Sequence, residues 1–385
     1  MVTFSHPTNR KAPMSSRHPL RAAAVVLVAG LLMAACSSSG SSSPTTSSSN
    51  TNGLGGTPNT QTPAATLTGA GASSAQPFLT RAFYDYGKLN SKVTVSYNPA
   101  GSSVGIADIQ ANSVSFGQTE IPMSASDLAK ATGGAIVQVP IDLGGVAVSY
   151  NVPGAPKNLH LSGEQLAGIY LGTIKDWHAI DASIPSTPII AVHRADSSGP
   201  GYDLDQYLID TSPAWTKATG RTTASKTWPK ADIGVGQQLN SGVAAYIKQT
   251  PGAIGYVEYA YALQAKFSNA ALLNKAGKYV APSIESIGAA GANASSLSST
   301  NFNIVNGAGA NTYPLANFSW SLVYVKQTNT NTGIALAKLL DWVATDGQAA
   351  AASLGYAPLP ANARALTHSS LLTLTDSTGK LLFTK

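Results

Sequence analysis

The sequence predicts an α/β fold. From Ala65 onward, short β-rich runs alternate with stretches whose apolar residues recur at helical spacing. That alternation is the pattern of strands assembled into a sheet with helices packed against it. Nothing repeats at a fixed period, which argues against a solenoid.

In chain order, Gln76–Lys88 has helical spacing and Val93-Thr94-Val95-Ser96-Tyr97 alternates like a strand. A helix is expected over Val104–Ala111 and a short one over Ser124–Lys130. Two strands are expected next, Ala135-Ile136-Val137-Gln138-Val139 and Val146-Ala147-Val148-Ser149-Tyr150. Gly163–Leu171 returns to helical spacing, Pro188-Ile189-Ile190-Ala191-Val192 to a strand, then Tyr202–Ile209 and Gly242–Lys248 to helices. The Ser/Gly/Asn-rich stretch Gly288–Asn311 is expected to be a surface excursion. Trp320–Val325 closes the series as a strand and Gly333–Thr345 as a helix.

Ahead of this body lies a different kind of chain. The 385 residues carry a formal charge of +6, but Arg10, Lys11, Arg17 and Arg21 fall within the first 35, which have no acid; without those four cations +2 remains. The basic balance therefore belongs to a leader, and nucleic-acid binding loses its main support. An apolar run, Ala22–Leu32, follows the basic region and ends in Met33-Ala34-Ala35-Cys36. It is short for a membrane span and reads as a signal peptide, residues 1–35. Cys36 is the single cysteine, so no internal disulfide can form. Its position resembles a bacterial lipobox, with Met33 where Leu is usual, and the resemblance implies acylation at Cys36 and anchorage to the extracytoplasmic face of the cell membrane. Residues 36–66, dominated by uncharged Ser, Thr, Gly, Asn and Pro, are expected to form a flexible tether with a reach of roughly 30 Å.

Three turns share one design. Gly69-Ala70-Gly71-Ala72-Ser73-Ser74, Gly101-Ser102-Ser103 and Arg194-Ala195-Asp196-Ser197-Ser198-Gly199-Pro200 each stand before an expected helix. Small residues let a ligand approach the backbone, helix N-termini offer unpaired N–H groups, and serine hydroxyls add donors. Singly, each is also an ordinary helix cap. Brought together, they would make an anion pocket with Arg194 as counter-charge.

These turns, together with Leu67–Ser73, Phe116-Gly117, Ile169–Trp177 and Pro251–Ala260, resemble the phosphate-binding proteins of bacterial ABC importers in order and spacing, from about Thr66 to the C-terminus. The resemblance implies a two-lobed periplasmic-binding fold of type II, with one lobe formed by 67–142 and 312–385 and the other by 143–311. No Cys/His cluster or H-E-x-x-H pattern suggests a metal, and a monomer without a cofactor is expected. Its ligand would be inorganic phosphate, held in the cleft between the lobes and delivered to permease and ATPase subunits. Carried over by position, Ser73, Ser102, Arg194, Ser198 and the backbone of Ser74 and Gly199 would donate to phosphate, and Glu120 stands where the family has an aspartate that accepts from a protonated phosphate oxygen. Sulfate brings no such proton and would face an acceptor with another acceptor. Asp196 would pair with Arg194. Ser74 replaces a bulky apolar residue, and Pro200 replaces a residue that often bears a hydroxyl, so one donor is lost.

Two other readings stay open on the sequence. Capture of another oxyanion without transport fits the tether equally well. Gly101-Ser102-Ser103-Val104-Gly105 also matches a nucleophile pattern, so an esterase using Ser103 is a third reading, although His160, His178, His193 and His368 show no catalytic context.

Overall fold

The computed structural model describes residues 62–230, 233–295, 297–301 and 303–384. The expected signal peptide, Cys36 and the tether as far as Gln61 lie outside the described residues. Strand pairing begins at Ala65, within the last residues of the stretch read as a tether.

The first elements are β1 (Ala65–Gly71), α1 (Gln76–Leu89), β2 (Val93–Asn98), α2 (Ser102–Gln110), β3 (Phe116–Thr119), α3 (Ala125–Leu128) and β4 (Ile136–Asn151). Next come β5 (His160–Leu161), α4 (Gly163–Tyr170), β6 (Ile190–Arg194), α5 (Gly199–Thr211), α6 (Pro213–Thr219), β7 (Val235–Gln237), α7 (Leu239–Gln249), β8 (Ala253–Glu258) and α8 (Tyr259–Ala265). The chain continues through β9 (Ser268–Asn269), β10 (Ala271–Leu273), β11 (Tyr279–Val280), α9 (Ile284–Ala292), β12 (Ala316–Tyr324), α10 (Thr330–Ala344) and α11 (Ala361–Leu371). One mixed sheet runs in the order β2-β1-β3-β12-β4-β8-β6-β7, with β9 paired to β4.

The strand β4 organises the molecule. It was expected as two strands and is one, 16 residues long. Its first part, to Gly145, is antiparallel to β12, and from Val146 onward it is antiparallel to β8. The change of partner falls at Gly144-Gly145, which is why the sequence there looks like a break between two elements. A bulge between Ser319 and Trp320 of β12 marks the pairing just before it. Both strands are buried almost throughout, so their apolar runs lack clean alternation.

Two large apolar clusters flank this strand. One gathers Phe78, Leu79, Phe116, Leu336 and Leu340, and the other Trp177, Tyr207, Trp215 and Tyr256. In α1 the residues Phe78, Leu79, Ala82 and Tyr86 lie on one buried face, and each large side chain stabilises the packing by roughly 1.5–3 kcal/mol. The stretch expected as a surface excursion contributes most of α9 instead. Its small residues permit close packing, since a Cβ at Gly291 would meet Leu143 at 2.4 Å.

This architecture sets up the site. The parallel strands β1, β2 and β3 end on one side, and β6 is parallel to β7 and β8. Each of the three Ser/Gly turns leaves the carboxyl end of one of these strands and opens a helix, the position where open α/β sheets bind ligands.

Candidate oxyanion site

The first turn joins β1 to α1. Its carbonyls at Ala72, Ser73 and Ser74 accept hydrogen bonds from three tyrosine hydroxyls: Tyr97 at 2.6 Å, Tyr261 at 3.0 Å, and Tyr356. A trans peptide directs its N–H opposite to its carbonyl, so this clamping turns the amides of Ser73, Ser74 and Ala75 the other way. The Ser73 hydroxyl accepts from Asn240 Nδ2 at 3.1 Å, and Asn240 Oδ1 accepts the Glu258 N–H at 2.9 Å.

The second turn is tied to the first, since Gly101 N–H donates to the Gly71 carbonyl at 2.8 Å. Gly101 has φ of 102°, a conformation that favours glycine, and a Cβ there would meet Asp196 Oδ2 at 3.0 Å. The Ser102 hydroxyl accepts a long hydrogen bond from Glu120 N–H, 3.5 Å.

In the third turn Arg194 ends β6 with 1% of its surface exposed. Its Nε donates to Asp196 Oδ1 at 2.7 Å and its Nη2 to Asp196 Oδ2, the fork geometry of a bidentate pair. Its Nη1 is buried without a hydrogen-bond partner. Asp196 also accepts from Leu239 N–H at 2.9 Å. Burial pushes the Asp196 carboxyl up, but Arg194 and that N–H together hold it below the usual range. Ser198 caps α5, its hydroxyl accepting Gly201 N–H at 3.1 Å. Pro200 is buried in the first turn of α5, where it supplies no N–H.

Glu120 follows β3 and reaches the third turn. A Cβ on Gly199 would lie 1.9 Å from Glu120 Oε2, so the absence of a side chain at Gly199 is what admits the carboxyl. Burial raises the Glu120 carboxyl to about 7, against the opposing pull of the nearby Ser74 hydroxyl and the Arg194 guanidinium. Neither Glu120 Oε2 nor Ser74 Oγ makes an aligned hydrogen bond.

The seven residues expected to meet a ligand are therefore near neighbours across these turns, together with Asp196. Ser73, Ser102 and Ser198 share a chemical state: each hydroxyl oxygen accepts an N–H, which leaves its own proton to donate elsewhere. Ser103 is occupied differently. Its hydroxyl lies 2.5 Å from Ser197 Oγ, which donates on to the Lys226 carbonyl. His193 Nδ1 bonds the Arg194 carbonyl, and its ring stacks on Trp228. Among the described residues no three His, Cys, Asp or Glu side chains are grouped to hold a metal ion.

The profile of the PBP superfamily domain matches residues 56–347. The phosphate-binding protein PstS of Xylella fastidiosa is 37% identical over 314 residues, spanning 78% of this chain and 84% of its own. That of Pasteurella multocida is 38% identical over 309 residues, spanning 78% of this chain and 88% of its own. The chain belongs to the PstS family. Solved structures carry the fold further than sequence does. A phosphate-binding protein of Stenotrophomonas maltophilia superposes with a TM-score of 0.63 at 19% identity, covering 79% of this chain and 93% of its own. A high-affinity periplasmic phosphate-binding protein solved with phosphate gives 0.66 at 20% identity, covering 82% and 96%. This PstS-family chain thus has the periplasmic-binding α/β fold its sequence led one to expect.

Several residues of the site were not singled out by sequence. Asn240, Tyr97, Tyr261 and Tyr356 position the first turn, and Asp142, Asp203 and Glu258 surround Glu120. Tyr261 and Glu258 lie in or beside the Pro251–Ala260 segment, which carried the family pattern but no stated role. Asn240 and Tyr356 are separated from Ser73 and Ser74 by 167 and 282 positions, so no local spacing could link them.

Proposed function

We propose that this chain is the extracytoplasmic substrate-binding component of a phosphate ABC importer, capturing inorganic phosphate and passing it to a membrane permease. Its membership of the PstS family supports the ligand class and the transport role. The observation that carries the chemistry is the set of buried donors: the free protons of Ser73, Ser102 and Ser198 and the partnerless Arg194 Nη1 all belong to turns that touch one another. A dehydrated pocket of neutral hydroxyls, amides and one guanidinium suits a tetrahedral oxyanion.

The residues in contact with phosphate would be Ser73, Ser102, Glu120, Arg194, Ser198 and the N–H groups of Ser74 and Gly199, with Asp196 orienting Arg194. Residues 67–142 with 312–385 would act as one lobe and 143–311 as the other, hinged where β4 changes partner. The protein would work as a monomer, perform no chemistry on the ion, and leave ATP hydrolysis to a partner subunit. Acylated Cys36 and the tether would hold it beside the membrane. No helix among the described residues is long and apolar enough to cross one.

Calorimetry of the purified chain with phosphate, sulfate and a p-nitrophenyl ester tests this. Saturable binding of phosphate and no turnover of the ester are expected. The absence of phosphate binding would refute the function, and ester turnover abolished by Ser103→Ala would revive the hydrolase. Release of the protein from membranes by Cys36→Ala tests the anchor.

A further inference from the structure

The charge inventory around Glu120 is one-sided. Asp142 from β4, Asp203 from α5, Glu258 at the end of β8 and Asp196 from the third turn bring carboxyl groups to the same buried region, each of the first three at most 4% exposed. The cation that faces Glu120 is Arg194, whose Nε and Nη2 are already committed to Asp196. Tyr97, Tyr261 and Tyr356 stand on the same side, and burial keeps their hydroxyls protonated, so they add no charge. If Glu120, Asp142, Asp203 and Glu258 were all ionised beside a guanidinium already paired with Asp196, these four carboxylates would repel any oxyanion.

The orphaned atoms point the same way. Glu120 Oε2, Asp142 Oδ2 and Glu258 Oε2 are buried with no hydrogen-bond partner, whereas an ionised carboxylate in such a place requires several. Apart from Asp196, the cluster therefore holds protons near neutral pH. Glu120 is the first of the four to give one up, because Ser74 and Arg194 face it. Burial, and then the charge that Glu120 acquires, keep Asp142, Asp203 and Glu258 neutral well above the usual range. A cavity of about 10 Å³ adjoins the carboxyl, with Glu120, Tyr202, Asp203 and Asn317 on one part of its wall and Ile304 and Phe318 on another, and Asn317 Nδ2 donates to Asp203 Oδ2 at 2.8 Å. It has room for about one water beside Glu120.

We propose that the cleft admits two classes of ligand according to pH: with Glu120 ionised it takes only an oxyanion that brings its own proton, such as hydrogen phosphate, and with Glu120 protonated it also takes a fully deprotonated tetrahedral oxyanion, represented by sulfate. The proposal rests on the phosphate reading above. An ionised Glu120 opposite sulfate sets acceptor against acceptor, while the protonated carboxyl donates its O–H to a sulfate oxygen. Phosphate satisfies both states, since either partner can supply the shared proton.

The test is calorimetry of the full chain with inorganic phosphate and with sulfate from pH 5.5 to pH 8.5. Phosphate should bind throughout. Sulfate should bind at pH 5.5 and at least tenfold more weakly at pH 8.5. In Glu120→Gln, whose amide donates at every pH, sulfate binding should lose that dependence. Equal rejection of sulfate at both ends of the range, with phosphate still bound, overturns the switch and leaves the phosphate reading standing. Failure of phosphate to bind at any pH overturns the reading beneath it.

Discussion

At the scale of single residues, the chemistry of the site depends on what each side chain has left over after holding its neighbours. Arg194 gives one edge of its guanidinium to Asp196 and keeps Nη1 for a ligand. Arg194→Ala should weaken phosphate binding more than tenfold, since a hydrogen bond from a charged donor contributes about 1.5–3 kcal/mol. Titration calorimetry measures the loss, with circular dichroism to confirm the fold. Glu120 is one methylene longer than the aspartate expected at its position, and its carboxyl lies against Gly199. Glu120→Asp withdraws that group while keeping the acceptor. Phosphate should then bind at least as tightly as in the parent, and a loss of tenfold or more would show that the longer reach is needed. Serines at helix starts and one buried arginine could be picked out in the sequence because their residue types announce donors. Their free protons could not, because that depends on which N–H each oxygen accepts.

At the scale of elements, helix starts and strand ends do the positioning. Ser198 is at once the cap of α5 and a candidate ligand donor, and α2 opens directly at Ser102. Both helices begin earlier than apolar periodicity suggested, because their first turns are built from Gly, Pro and Ser that carry no hydrophobic signal. The helix α3 presents Asp127, whose Oδ2 lies 2.5 Å from Lys226 Nζ. Burial pushes that aspartate up, and Lys226 with Ser124 brings it below the usual range. Under the proposed lobe assignment this pair crosses from one lobe to the other and fastens the closed form. The lysine is 37% exposed, so solvent screening limits the pair to about 1 kcal/mol or less. Lys226→Met should speed phosphate release two- to fivefold in stopped-flow measurements and leave the association rate nearly unchanged. The change of pairing partner is also why β4 looks like two strands in the sequence. A pattern of apolar residues reports burial, and it carries no record of which neighbour the strand pairs with.

At the scale of the whole molecule, buried carboxyls govern stability against pH. Glu120 is raised to about 7, and Asp142, Asp203 and Glu258 are raised as well, chiefly by burial. In the unfolded chain such groups ionise near pH 4. Between that pH and their folded values the native state binds more protons than the unfolded state, so stability falls as pH rises. Asp196 and Asp127 are lowered and act in the opposite sense, losing their contribution as pH drops through the acid range. The thermal midpoint should therefore peak near pH 4–5 and decline toward pH 8. Glu120 by itself accounts for on the order of 3 kcal/mol, or roughly 5 °C in a chain of this size. Scanning calorimetry at pH 5 and pH 8 without ligand checks the sign, and Asp203→Asn should lessen the decline. A midpoint that rises from pH 5 to pH 8 would contradict the protonated cluster.

The sequence by itself determined the alternation of strands and helices, the three Ser/Gly turns and the residues that open them. These are local properties, set by side-chain volume, periodicity and the conformational demands of a few glycines. Only the tertiary structure decided that the turns meet, that three tyrosines and Asn240 hold the first of them in place, and that Glu120 lies among Asp142, Asp203 and Glu258. A carboxyl group acquires its protonation state from neighbours that the chain brings in from far away, and for Glu120 that state carries the choice of ligand.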